Sequence, residues 1–198
     1  AVYLLLGTTL DDGGSHQIRS HYDFRFKSTS ANDLLSRASF VGDVDGEDLP
    51  DLMFASPYSD IGAANSGTVY IVSSITLWTH TLWGFDKDLW IEDHADYIIR
   101  GNEGESLLGW EVDTAGEIER HGLDDILIGA PDKDYSGADA GMAYVVLAET
   151  LVEGEAISIS EADYFFATGH AGDYLGKSVG SAGDVDGDGR FNSPNGDE

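Results

Sequence analysis

Asp184-Val185-Asp186-Gly187-Asp188-Gly189 places three carboxylates at alternate positions and closes on a glycine. In a tight loop, alternate residues can turn their oxygens toward one centre. That arrangement suits a hard cation. Ca²⁺ accepts about six to eight oxygens at loosely defined angles. Mg²⁺ demands near-octahedral geometry and holds its water, and zinc favours His or Cys. The stretch has two relatives upstream: Asp43-Val44-Asp45-Gly46-Glu47 is a near copy, and Glu117-Ile118-Glu119-Arg120-His121-Gly122 is a worn one.

The loops do not read as EF-hands, which need a bidentate Glu at the twelfth position and flanking helices. Counted from Asp43, Glu117 and Asp184, that position holds Phe54, Ile128 and Asn195. The first two loops carry an acid at position nine instead, Asp51 and Asp125, and an apolar run follows each. The pattern predicts a nine-residue calcium loop that feeds a β-strand.

All three loops sit inside a longer internal repeat. An offset of 74 relates Gly42 to Gly116, Asp51 to Asp125, Pro57 to Pro131, Gly67 to Gly141 and Tyr70 to Tyr144. An offset of 67 relates Asp96 to Asp163, Leu108-Gly109 to Leu175-Gly176, and Gly116 to Gly183. Tyr3 stands 67 before Tyr70, so Ala1–Leu6 reads as the tail of an earlier copy. The expected layout is a blade tail at 1–10, repeats at 22–72 and 96–147, and an incomplete repeat at 163–198.

Each copy contains short β-rich runs between Gly and Asp turns, which predicts an all-β chain. The runs are Asp96–Arg100, a strand ending in Ala115-Gly116, Ile126–Ala130 and Ala143–Leu147, with counterparts in the other copies. No long stretch shows the helical apolar period. Four short strands per repeat suit four-stranded antiparallel propeller blades, each burying its faces against its neighbours.

These motifs together (Leu-Gly, Gly-Asp-Val-Asp-Gly-Asp-Gly, Asp-Ile-Leu-Ile-Gly-Ala-Pro and Gly-Met-Ala-Tyr-Val-Val) resemble the FG-GAP repeats of integrin-α-type β-propellers. The resemblance spans nearly the whole chain in about three partial or complete copies. It implies a calcium loop between the first and second strands of a blade, on one rim of a larger propeller. The first copy departs from the pattern, with Ala55-Ser56-Pro57 for Gly-Ala-Pro, Leu35-Ser36 for Leu-Gly, and Asp48 for the loop glycine.

The expected ligands follow loop by loop. The first loop offers Asp43, Asp45, Glu47, the Leu49 carbonyl and Asp51. The second offers Glu117, Glu119, His121, the Leu123 carbonyl and Asp125; neutral His is a poor calcium ligand, and Arg120 adds a competing charge. The third offers Asp184, Asp186, Asp188, the Arg190 carbonyl and Asn192. Asp-Gly clusters are good turn formers in their own right. Recurrence of acids in register with a repeat argues for more than turns, because clustered carboxylates repel until a divalent ion relieves them.

Ten Lys and Arg face 37 Asp and Glu, a formal charge of −27. So acidic a surface disfavours nucleic acid, whose phosphates need basic clusters. There is no cysteine, and no run is apolar enough for a membrane span. Calcium sites of modest affinity fill in extracellular millimolar calcium, so the expected location is secreted or cell-surface. Neither Gly-x-Ser-x-Gly nor metal-ligand histidine spacing occurs, and no enzyme is expected. Trp78, Trp83 and Trp90 lie in the irregular stretch from Ser73 to Asp96, where they read either as packing of an outer strand or as a platform for sugars or protein.

Three functions fit the sequence. One is a non-catalytic calcium-binding propeller segment of an adhesion or structural protein, acting through protein–protein contacts or self-association. Another is an accessory propeller domain of a larger secreted hydrolase or lyase. The third is a subunit of a calcium-stabilised filament whose blades are completed by neighbouring chains.

Overall fold

The computed structural model describes residues 1–6, 17–18, 22–30, 32–84, 86–119 and 121–183. Strands account for 34% of the chain and helix for 12%, an all-β class. None of its three sheets closes on itself.

The first sheet holds β1 (Val2–Leu4), β2 (Phe24–Lys27) and β6 (Asp88–Trp90). The second runs β3 (Arg37–Gly42), β4 (Asp51–Ser56), β5 (Thr68–Val72), β7 (Tyr97–Arg100) and β11 (Ala156–Ser158). The third runs β8 (Val112–Gly116), β9 (Asp125–Ala130), β10 (Met142–Val146) and β12 (Tyr164–Ala167). Neighbours pair antiparallel, except that β6 runs parallel to β2 and β11 parallel to β7. The expected strands are present at the expected runs. The parallel edge strands β6 and β11 were not anticipated.

Every residue of β4 and β5 is buried, because the second sheet is covered on both sides and so shows continuous apolar runs. On one side Leu52, Phe54, Tyr70 and Val72 meet Phe24, Phe26, Leu89 and Ile91 around the first sheet. The Phe26 and Phe54 rings lie 4.4 Å apart there. On the other side Val41, Met53, Ile71 and Ile99 meet Val112, Ile126, Ile128 and Tyr144 of the third sheet. Alternation along each strand thus sends neighbouring residues into different cores.

The Leu-Gly pairs mark where one repeat crosses the sheet before it. Gly109 has φ +82, and a Cβ there would stand 2.7 Å from Ala55 Cβ. At Gly176, φ +85, it would stand 2.1 Å from the Met142 carbonyl oxygen. Both positions need glycine for conformation and for space.

A second recurring device is an aspartate that begins each repeat. Asp23, Asp96 and Asp163 accept the backbone N–H of Leu6, Ser73 and Leu147, at 2.7, 2.7 and 2.8 Å. Each ties a repeat's start to the end of the previous copy's last strand.

One expectation fails in the stretch from Ser73 to Asp96. It contains a ten-residue helix, α1 (Ser74–Trp83), with Ser73 as N-cap and Gly84 as left-handed C-cap. Of α1, only Leu77 is buried. So weak a stripe left no clear period in the sequence, and the caps hold the ends.

Candidate metal-binding loops

Each described loop begins at a bulge. The registers of β3 with β4 and of β8 with β9 shift before Gly42 and Gly116. Both glycines take positive φ, 87° and 72°, which turns the chain out of the strand.

In the first loop the Asp43 carboxylate folds over its own backbone. Oδ1 accepts from the N–H of Gly46 at 2.7 Å and Glu47 at 3.1 Å, and Oδ2 accepts from Asp48 at 2.8 Å. Asp48 holds φ 59°, the left-handed conformation that Gly122 adopts at the matching place. An aspartate tolerates that region better than most side chains, which accounts for the departure at Asp48. Asp51 opens β4 and is fully buried. Its Oδ2 accepts from Val44 N–H at 3.0 Å and its Oδ1 from Ser74 N–H at 2.9 Å. Burial pushes its carboxyl up to about 6 against those two bonds, and the charges on Asp45 and Asp43 add to the shift.

Oxygens of Asp43, Asp45 and Asp51 all lie within 4.8 Å of one another. Each oxygen has lone pairs to spare beyond its N–H partners, so the trio can accept a cation without losing the loop. Glu47 stands outside the trio but lines an adjoining cleft of about 200 Å³ with Asp45, Asp96 and Glu153. Tyr97 also lines it, with its phenol pushed up to about 12 by burial and then by Asp45. The Leu49 side chain faces solvent.

The second loop has the same frame and different contents. Asp125 repeats Asp51: Oδ2 accepts from Ile118 N–H at 2.8 Å and Oδ1 from Ala148 N–H at 3.0 Å. Burial again raises its carboxyl. Glu117 Oε1 accepts from Gly122 N–H at 2.6 Å, and the Leu123 side chain packs against the core. The groups that converge here are Glu119, His121 and Glu149, with ligand atoms within 4.8 Å. Glu117 and Asp125 are not among them. His121 Nδ1 lies 2.8 Å from Glu149 Oε1, and the Tyr164 hydroxyl donates to Glu119 Oε1 at 3.0 Å. Glu149 was missed by the sequence reading because it lies on the turn after β10, outside the loop. All three converging residues are exposed.

The third loop, with Asp184, Asp186, Asp188, Arg190 and Asn192, lies outside the described residues.

The tryptophans do not pack as an outer strand would. Trp78 and Trp83 on α1 are 58% and 74% exposed, and Trp90 is 40% exposed beneath the Lys27 ammonium. Leu77, Leu89 and Ile91 fill the core at this place instead.

No family model matches the chain, and no curated protein matches it. Among the described residues no helix is long and apolar enough to cross a membrane.

Proposed function

We propose that this chain is a calcium-binding, non-catalytic repeat module of β-propeller type, secreted or cell-surface, whose ion-stiffened loops present a surface for protein contacts. The observation that carries the reading is the convergence of Asp43, Asp45 and Asp51 at the bulged end of β3. Three carboxylates within 4.8 Å, one of them fully buried, favour a divalent cation over mutual repulsion. An all-oxygen donor set and loose loop geometry favour Ca²⁺ over zinc or Mg²⁺. The propeller architecture is supported by the ordered stacking of three repeat-built sheets and by the FG-GAP resemblance of the motifs.

Calcium would serve structure here. Asp51 links loop, strand and α1 through its two N–H partners, so an ion held by the trio would brace all three. Calorimetric titration of the chelator-treated chain with Ca²⁺ tests this directly. Saturable binding that Asp45→Ala weakens at least about tenfold is expected. Heats no larger than dilution, or binding indifferent to Asp45, would remove the reading.

A further inference from the structure

We propose that the far face of the third sheet is a docking surface for the first sheet of a second copy of this chain, so that copies add head to tail. This stands apart from the calcium reading, since none of the residues involved is a proposed ligand.

The far face carries the residue positions that the second sheet uses to hold the third. Ala115, Leu127 and Val145 follow Val41, Met53 and Ile71 by the 74-residue offset, and those three lie in the core between second and third sheets. Phe166 follows Ile99 by 67, yet Phe166 is 57% exposed where Ile99 is wholly buried. The result is an apolar groove of about 490 Å³ lined by Leu127, Val145, Tyr164 and Phe166. Contiguous apolar surface of this kind marks an interaction site.

Part of the occupant is already in place. Gly180 and Ala182 line the groove, and Ser181 N–H donates to Asp113 Oδ2 at 3.0 Å. One repeat earlier the corresponding segment is β8, which packs on β3. Residues 179–183 therefore begin a further layer on the third sheet.

The opposite end of the molecule has the complementary shape. Among the described residues the first sheet has no counterparts of β3 and β4 beside β1. At that place lies a second apolar groove of about 410 Å³, lined by Leu4, Leu5, Phe40, Leu52 and Trp78. Phe40 is 60% exposed in it. One contact fills both grooves. The partner's first sheet covers Val145 and Phe166, while residues 179–183 of this copy enter beside the partner's β1 and over its Phe40. Such a contact joins unlike faces, so it propagates rather than stopping at a symmetric dimer.

Sedimentation velocity of the full chain at rising concentration, in calcium and in chelator, tests the proposal. The mass should climb in steps of one chain. Phe166→Glu and Phe40→Glu should each weaken association at least about tenfold. Both residues are exposed, so both variants should keep the parent's far-ultraviolet circular dichroism. Mixed together, the two variants should form a one-to-one dimer and nothing larger, because each retains one working end. A single-chain mass at every concentration would overturn the proposal. So would association that neither substitution weakens, a symmetric dimer sensitive to Phe166→Glu alone, or variants that ignore each other when mixed. Loss of calcium binding with association intact would leave it standing and remove only the calcium reading.

Discussion

Asp51 and Asp125 occupy the same place in successive sheets: each buried carboxylate accepts one N–H from the acidic loop before its strand and one from the turn after the next strand. The pair explains why an acid recurs at the ninth loop position whatever the rest of the loop contains. In the second loop Asp125 keeps this role although it does not converge with Glu119, His121 and Glu149.

Removing such a tie leaves two inward-facing N–H groups without partners. Each costs about 1–3 kcal/mol, offset in part by no longer desolvating a carboxylate. Asp51→Ala should therefore destabilise the chain by about 2 kcal/mol in chelator, read from urea unfolding. An unchanged midpoint would show that water satisfies both donors.

The raised carboxyl of Asp51 sets a pH dependence in calcium-free buffer. Its folded value of about 6 lies above the ordinary 3.8, so between the two the folded chain holds a proton that the unfolded chain has released. Stability from this group is fully present below about pH 4 and falls as pH rises toward 6. Asp51→Asn should flatten that slope in thermal melts. Saturating calcium should oppose it, because the ion favours the ionised carboxylate.

Calcium itself should raise the melting temperature. At about a hundred times Kd, one site adds about 2.7 kcal/mol, or about 5–10 °C for a chain of this size. Asp45→Ala should shrink the shift while leaving the chelator melt near the parent's. Equal melts with calcium and with chelator would contradict the site.

Two glycines with positive φ separate conformational strain from steric exclusion. Gly84→Ala meets nothing within 4 Å at φ +64 and should cost about 1 kcal/mol. Gly109→Ala at φ +82 adds a contact 2.7 Å from Ala55 Cβ and should cost about 3 kcal/mol or more. Differential scanning calorimetry of the two variants would rank them.

Most strands and turns were legible because the repeat amplified weak signals. Tyr70 and Tyr144, or Asp51 and Asp125, are unremarkable singly and informative in register. What escaped lay where the copies diverge. Helix α1 replaces the three-residue 3-10 turn Ala148–Thr150 of the next copy, so no second copy supported it. Strands β6 and β11 have only three residues each, too few to show alternation. Glu149 reaches the second loop across space from another turn, a proximity that spacing along the chain does not encode.

The strands β2, β7 and β12 open their repeats in sequence, yet β7 and β12 pair in the second and third sheets with β5 and β10 of the copy before. Sequence units and structural units are thus offset by one strand. A fragment cut at the sequence boundary between Val72 and Asp96 would strip β7 from one piece and leave it dangling from the other, exposing Ile99 in both. A cut after β7 keeps each sheet's antiparallel core whole. Repeats excised for engineering should therefore be framed from Gly101 to Ala167, with the strand that begins the next copy carried along.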